Sequence, residues 1–320
     1  MTAAAPATQV ALSVVICAYT TRRWDDVCAA VESVLTQDVS SEFEVILVID
    51  HNDELYDMAA QRFGDRVTVV RNTETQGLSG ARNTGVSVAR GDVVGFLDDD
   101  ATADPAWAAT LLDHYRDDTV ACVGGHAAPV WPTGIRPSWM PREFDWVVGC
   151  SYTGQPTTVA PVRNPIGCNM SLRRSIVDAV GGFRSEVGRV GTTPVGGEET
   201  ELCIRIGAHD STHRILLDPE MSVRHRVSPD RVTLRYFTRR CHHEGLSKAV
   251  VASLGGGHTA LSSESAYVRD VLPRAVLREL ASMSAAGWSR AAVIVLGLCV
   301  TTAGYLRAKA SRRIARGALR

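Results

Sequence analysis

The chain has 320 residues, 45% hydrophobic and 22% charged, with 34 Lys+Arg against 35 Asp+Glu. That length and composition exclude a disordered chain, a collagen-like fibre and a small disulfide scaffold, and leave room for one large α/β unit or two domains. A formal net charge of −1 argues against a general polyanion binder, so no nucleic-acid partner is expected.

Residues 1–9 (MTAAAPATQ) carry neither a basic stretch nor an apolar run, which reads as a flexible lead without a secretory signal. Residues 10–17 are almost continuously apolar, as a strand buried on both faces must be. Residues 25–37 place Val27, Val31, Val34 and Leu35 on one helical face. FEVILVID (43–50) predicts a second buried strand, ELYDMAAQRF (54–63) a helix and RVTVVRN (66–72) a third strand. LSGARNTGVSVAR (78–90) reads as a helix closed by Gly91, and DVVGFLDDD (92–100) as a fourth strand ending in acid. This alternation is the pattern of a parallel βαβ sheet.

Asp104-Pro105 predicts the next helix, with Asp as cap and Pro at its first position. ACVGGHAAPVW (121–131) resembles another strand. Residues 131–165, rich in Pro, Gly and Trp and without a period, read as a long surface excursion that shapes a substrate site. From 168 to about 230 helices and short strands return, 231–248 is basic, and 252–265 reads as a flexible connection. Residues 291–306 are uncharged for 16 positions, and the tail then adds Arg307, Lys309, Arg312, Arg313, Arg316 and Arg320 with no acid. About 20 apolar residues are needed to span a bilayer, so a segment lying in the interface with its basic flank on anionic head groups fits better. The competing reading is a packing helix with a solvated tail. None of the eight cysteines forms a CxxC pair; several, as in SVVIC and LGLC, sit in apolar runs where a buried free thiol is expected, which suits a reducing cytosol.

In an open parallel sheet, ligands bind beyond the carboxyl ends of the strands. Tyr19, Asp50 and the run Asp98-Asp99-Asp100 fall at such ends. The first strand-to-helix turn, AYTTRRWDD, lacks the glycines of a dinucleotide cradle, and neither a P-loop nor a G-x-S-x-G elbow occurs. Three adjacent carboxylates repel one another unless a cation sits among them. They are either an acidic turn into the next helix or a site for a hard divalent cation, Mg²⁺ or Mn²⁺, with Asp98 and Asp100 on the same side of an extended segment.

These same residues carry a resemblance. SVVICAYTTRRWDDVCAAVESVLTQ, EVILVID and GLSGARNTGVSVARGDVVGFLDDD resemble the nucleotide-sugar half of family 2 glycosyltransferases, and NMSLRRSIVDAVGGF and GGEETELCIRI the acceptor half, together covering about residues 10–230 in order. The resemblance implies an α/β, GT-A, Rossmann-like mixed sheet flanked by helices. Its nucleotide-sugar half would be 10–125 and its acceptor half 126–250. A helical C-terminal region, 251–320, would contain the apolar stretch 291–306 and associate with a membrane.

The resemblance also implies roles. Tyr19 and Asp50 hold the donor's base, Arg82 the base or diphosphate, Asp98 and Asp100 the ribose, and Asp98, Asp100 and His225 a metal bridging the diphosphate, with Ala18 and Asp99 also among the nucleotide-sugar-binding residues. Glu199 stands where relatives carry the catalytic base, as Glu in place of Asp, with Glu198 the alternative; both carboxylates also suit a helix N-terminus. His225 is equally readable as a structural histidine, and Arg239, Arg240 and Lys248 could contact phosphate, acceptor or lipid head groups. The absence of Q-x-x-R-W points to transfer of a single sugar and not to a processive synthase.

EVILVIDHNDEL and RRCHHEGLSK resemble a subgroup acting on polyprenyl-linked sugars, exemplified by glucuronosyl transfer to a glucosyl-dolichyl-type lipid. The expectation is therefore an inverting, metal-dependent transferase. It would use a nucleoside-diphosphate sugar, a UDP-sugar first among donors, and a glycan or lipid-linked acceptor. Its expected location is cytoplasmic and peripheral, with the C-terminus on the inner face of the cell membrane. A nucleotidyltransferase and a non-catalytic nucleotide-sugar-binding protein are the alternatives.

Overall fold

The computed structural model describes residues 10–185, 197–254 and 262–318. The expected lead at 1–9, the centre of the expected connection at 252–265 and the tail side chains from 312 onward lie outside the described part.

The first half follows the alternation read from the sequence. Strand β1 (Leu12–Ala18) precedes α1 (Trp24–Leu35), β2 (Phe43–Ile49) precedes α2 (Asp53–Phe63), and β3 (Thr68–Arg71) precedes α3 (Leu78–Val88). The Asn52 side chain caps α2 by accepting from the Leu55 amide at 3.0 Å. Strand β4 (Val93–Asp98) is followed after two residues by β5 (Ala101–Ala103) and then α4 (Trp107–His114). Helix α4 starts two residues beyond the Asp104-Pro105 signal. The Asp104 carbonyl accepts from the Trp107 amide at 3.0 Å while its carboxylate turns to Arg224 at 3.7 Å, so its side chain does not cap the helix.

Next come β6 (Val120–Val130), β7 (Ala160–Pro161), β8 (Asn169–Arg173), α5 (Arg174–Ala179), α6 (Glu198–His209) and β9 (Arg214–Arg226). The chain closes with α7 (Leu234–Leu254), α8 (Ser262–Ala266), a π-turn at Tyr267–Val271, α9 (Leu272–Ala281) and α10 (Ala285–Ala318).

One nine-stranded mixed sheet runs β3-β2-β1-β4-β8-β6-β9-β5, with β7 against β9. Strands β1 to β4 pair in parallel, and β8 runs antiparallel between β4 and β6. Apolar side chains fill both faces: Leu12, Val14 and Ile16 point to one, Val15, Ile46 and Phe96 to the other. A third core gathers Met140, Phe144, Phe237, Leu272, Val293 and Ile294 from either side of position 250. Residues 131–165 are therefore not a surface excursion as expected, because Phe144, Val147 and Val148 are buried there.

Helix α10 lies along α7 through glycines. A side chain at Gly245 would strike the Thr301 carbonyl, one at Gly304 the His242 carbonyl, and one at Gly297 the Phe144 ring. Among the described residues it is the one helix long and apolar enough to cross a membrane by length and composition (Ala285–Ser311, mean hydropathy 1.7). Its outer side stays exposed, with Trp288 at 54% and Leu306 at 58%. Cys299, expected to be buried, is exposed because it falls on that outer side, and Cys17 is half-buried.

Candidate active site

The carboxyl ends of β1, β2 and β4 meet as the strand order dictates. At the end of β1, the Ala18 side chain is packed in the core and its carbonyl accepts from the Asp50 amide at 2.8 Å. Asp50 is held by three donors: the Asn72 amide at 2.7 Å, the Gly77 backbone at 3.0 Å and His51 Nδ1 at 2.9 Å. Gly77 has φ +130°, a backbone turn that favours glycine and aims its N–H at Asp50. Tyr19 stands exposed beside it, with the Arg23 guanidinium 5.6 Å from its ring centre.

Asp98 ends β4, and the turn at Asp99-Asp100 leads into β5. Strand β5 pairs antiparallel with β9 so that Ala101 faces His225, which brings the imidazole to Asp100. His225 Nε2 lies 3.2 Å from Asp100, and ligand atoms of Asp98, Asp100 and His225 all fall within 4.8 Å of one another. Burial alone would push the His225 imidazole down, but Asp100 and Cys150 more than offset it and raise it to about 10. Burial likewise opposes ionisation of Asp100, yet His225, Arg231 and Arg23 hold it well below the usual carboxylate range. Asp99, buried and next to Asp100, is pushed up to about 7 despite Arg23.

Two arginines thus stand in the acidic run that sequence reasoning did not place there. Arg23 reaches Asp99 at 2.8 Å and Asp100 at 3.1 Å, and Arg231 reaches Asp100 at 3.7 Å. Arg23 was visible as TRRWDD in the first turn; Arg231 was visible only as part of a basic stretch.

Arg82 is 2% exposed and spends its fork inside the protein. It reaches the Gly167 carbonyl at 2.8 Å, Glu198 at 3.2 Å and Asp98 at 3.5 Å, between the rings of Phe96 and Phe183. Arg82 therefore ties the acidic strand end to α6. Gly197, at φ +110°, opens α6 and sets Glu198 and Glu199 in its first turn. Glu198 is 4% exposed, and its second carboxylate oxygen has no partner among the described residues. Glu199 is half-buried, and burial followed by the neighbouring Glu198 charge raises it to about 7.

Asp98, His225, Arg82, Glu198 and Glu199 line one cavity of about 1220 Å³. Arg240 and Lys248 line it too, each already paired: Arg240 to Glu244 at 2.8 Å, and Lys248 to Glu244 at 2.9 Å and Glu264 at 2.7 Å. Glu244 and Glu264 were not singled out as site residues, although the i, i+4 spacing of 240, 244 and 248 was legible. Arg239 is exposed and does not line the cavity, and neither do Tyr19 and Asp50. Chemically, the cavity offers the Asp98 carboxylate and the His225 imidazole, which with the neighbouring buried Asp100 suit a divalent cation, and a further carboxylate, Glu199, basic enough to take a proton near neutrality.

The model of the family described as glycosyl transferase family 2 matches residues 13–181. The chain is 36% identical over 265 residues to the glucosyl-dolichyl phosphate glucuronosyltransferase of Haloferax volcanii, covering 82% of this chain and 83% of that protein. Its fold is similar to that of the Pyrobaculum calidifontis mannosyltransferase PcManGT, solved with GDP-Man and Mn²⁺ (TM-score 0.58, 16% identity, 91% of this chain and 86% of that one). It is also similar to GalNAc-T7 solved with UDP, GalNAc and Mn²⁺ (TM-score 0.53, 16% identity, 82% and 56%).

Proposed function

The chain belongs to glycosyltransferase family 2 and has its GT-A fold, and on that premise we propose that it moves one sugar from a nucleoside-diphosphate donor to a hydroxyl of a lipid-linked sugar, inverting the anomeric carbon. The observation that carries this reading is that Asp98 and His225, two members of the Asp98–Asp100–His225 cluster, line one cavity with Glu199. The relative from Haloferax volcanii, named for a dolichyl phosphate sugar, supports the acceptor class.

Tyr19 and Asp50 would receive the donor's base at the ends of β1 and β2, with Ala18 setting the place of Asp50. Asp98 and Asp100 would meet its ribose, with Asp99 between them. Arg82 then acts as a positioning residue, holding Asp98 and Glu198 where the two halves of the site join. Asp98, Asp100 and His225 would hold a divalent cation, and the imidazole favours Mn²⁺ over Mg²⁺. Bound there, the ion supplies Lewis-acid neutralisation of the charge on the departing nucleoside diphosphate. Glu199 takes the proton from the acceptor hydroxyl as that oxygen bonds to the anomeric carbon, and the carbon–phosphate oxygen bond breaks with its electron pair on the diphosphate. Glu198, paired with Arg82 at 3.2 Å, is the alternative base.

The exposed outer side of α10 favours a protein lying on a membrane. Its other side is committed to α7, so a helix laid in the interface fits better than one crossing it. Arg307 and Lys309, both exposed at its end, suit anionic head groups, and eight free cysteines suit the cytoplasmic face.

The test is thermal stabilisation by a panel of nucleoside diphosphates and their sugars, with Mn²⁺ and with chelator. A ligand at about 100 times its Kd adds about 2.7 kcal/mol of apparent stability. One nucleotide is expected to stabilise only with metal, UDP being tried first, and Asp100→Asn is expected to abolish the effect. Stabilisation that survives chelator and Asp100→Asn unchanged would remove the metal assignment.

A further inference from the structure

The cavity of about 1220 Å³ exceeds the roughly 300–1,000 Å³ of an ordinary small-molecule site, and its lining changes character along its length. One end holds Asp98, His225, Glu198 and Glu199. The middle is a collar of charge in which Arg163 pairs with Glu264 at 2.8 Å, Lys248 with both Glu264 and Glu244, and Arg240 with Glu244. Three cations and two carboxylates meet there. Arg240 is 8% exposed, and its Nε has no partner among the described residues. A buried guanidinium N–H with no acceptor, beside two further cations, calls for a hydrogen-bond acceptor such as an anion.

The lining also holds Leu298, Thr302 and Tyr305 of α10 and Val268, Val271 and Leu272, together with Arg269 and Asp270, which pair with each other at 2.9 Å. Val268 and Thr302 both line the cavity and are exposed, as are Gly154, Pro161, Ser265, Ala266 and Arg269. Thr302 belongs to a stripe of exposed positions on α10, Trp288, Val295, Cys299, Thr302 and Leu306, spaced at helical repeats. No charged residue occurs between Arg290 and Arg307. At 1.5 Å per residue that stripe is about 27 Å long, and its Thr302 is also part of the cavity lining.

We propose that the collar and the apolar end form the binding site of an isoprenoid phosphate, the lipid moiety of the acceptor. Its phosphate lies among Arg163, Arg240 and Lys248, and its chain runs between α10 and residues 267–272 to the exposed stripe and the bilayer. Arginine forks match phosphate oxygens, and Arg240 Nε gains an acceptor when the phosphate arrives. A sugar attached to that phosphate points back along the cavity to Glu199. The inference rests on the lipid-linked acceptor proposed above, and adds where that lipid is held and how it is recognised.

The experiment is calorimetric titration of the full chain with farnesyl phosphate, farnesol and inorganic phosphate. Farnesyl phosphate is expected to bind at least about tenfold more tightly than either of the others, because only it fills both the collar and the apolar end. Arg240→Gln is expected to weaken it by about tenfold or more. Should that variant fail to fold, Leu298→Trp, which blocks the half-buried apolar end, serves in its place with the same expected loss; melting of each unliganded variant reports folding. Farnesol binding as tightly as farnesyl phosphate overturns the collar's role, and inorganic phosphate binding equally well means a free-phosphate site. Unchanged farnesyl phosphate affinity in Leu298→Trp puts the chain elsewhere. Metal-dependent nucleotide binding, measured alongside, separates the two readings. If it persists without farnesyl phosphate binding, this inference alone fails; if it is missing while farnesyl phosphate binds, the transferase reading fails and the lipid site stands.

Discussion

Replacing Glu199 by glutamine removes the proposed base while keeping its size. Burial and the Glu198 charge raise Glu199 from 4.5 to about 7, so near neutrality the carboxylate is both available and basic. General-base catalysis contributes about 10²–10⁴ in rate, and Glu199→Gln is expected to lower kcat by that factor with donor binding unchanged. Wild-type kcat is expected to fall on the acid side with a midpoint near 7, as protonation takes the base away. The same shift predicts an effect on stability of opposite sense. The folded state holds this proton more tightly than the unfolded one, so between about 4.5 and 7 stability falls as pH rises. At pH 8 the ionised, half-buried carboxylate costs up to about 3 kcal/mol that an amide does not incur; below pH 4 both states are protonated and the difference closes. Denaturant unfolding of the two proteins at pH 8 and pH 4, with kcat against pH, measures both effects. A variant that keeps more than about a tenth of wild-type kcat, or whose acid limb is unchanged, refutes the assignment. If Glu198→Gln shows that loss instead, the base is Glu198.

Three further outcomes are expected. Glu244→Gln leaves the buried Arg240 without its carboxylate while the half-buried Lys248 keeps Glu264, so the cost should fall below the roughly 3–5 kcal/mol of a fully buried pair, read as a lower urea midpoint. Glu244 is held well below the ordinary carboxylate range by Lys248 and Arg240 against the burial that opposes it. Its contribution is therefore complete above the unfolded value of 4.5 and lost as pH falls below it, so the gap between wild type and variant should narrow in acid. Gly304→Leu forces α10 away from the His242 carbonyl; overpacking of this kind costs about 1–3 kcal/mol, and an unchanged melting temperature would show that α10 does not rest on α7 in solution. Trp288→Glu, Val295→Glu and Leu306→Glu together should abolish co-sedimentation with anionic vesicles without lowering the melting temperature, whereas undiminished pelleting would refute docking through this side of α10. Truncation before α10 is a poorer test, because it also removes Val293 and Ile294 from the third core.

The sheet's first half was legible because its signals are local. An unbroken apolar run such as FEVILVI needs two buried faces, and the three- and four-residue spacing of Val27, Val31 and Val34 needs one. The order of strands with acid at their ends placed Tyr19, Asp50 and Asp98 on one edge. The pairing of Ala101 with His225 across more than a hundred residues was a matter of register, which composition and periodicity do not encode. The same holds for Arg23 and Arg231, which were visible as charges but not as the cations set against Asp99 and Asp100. Residues 131–165 looked like surface because Pro, Gly and Trp show no period. They are partly core because Phe144 and Val148 fill the space between α7 and α10, a space that exists only once those helices have met. What the amino-acid order determined alone was the elements of the first half and the residue types of the site. What the tertiary structure decided was which charges neutralise one another, which carboxylate is left basic, and where a cavity stays open, since each depends on distances between segments that only packing brings together.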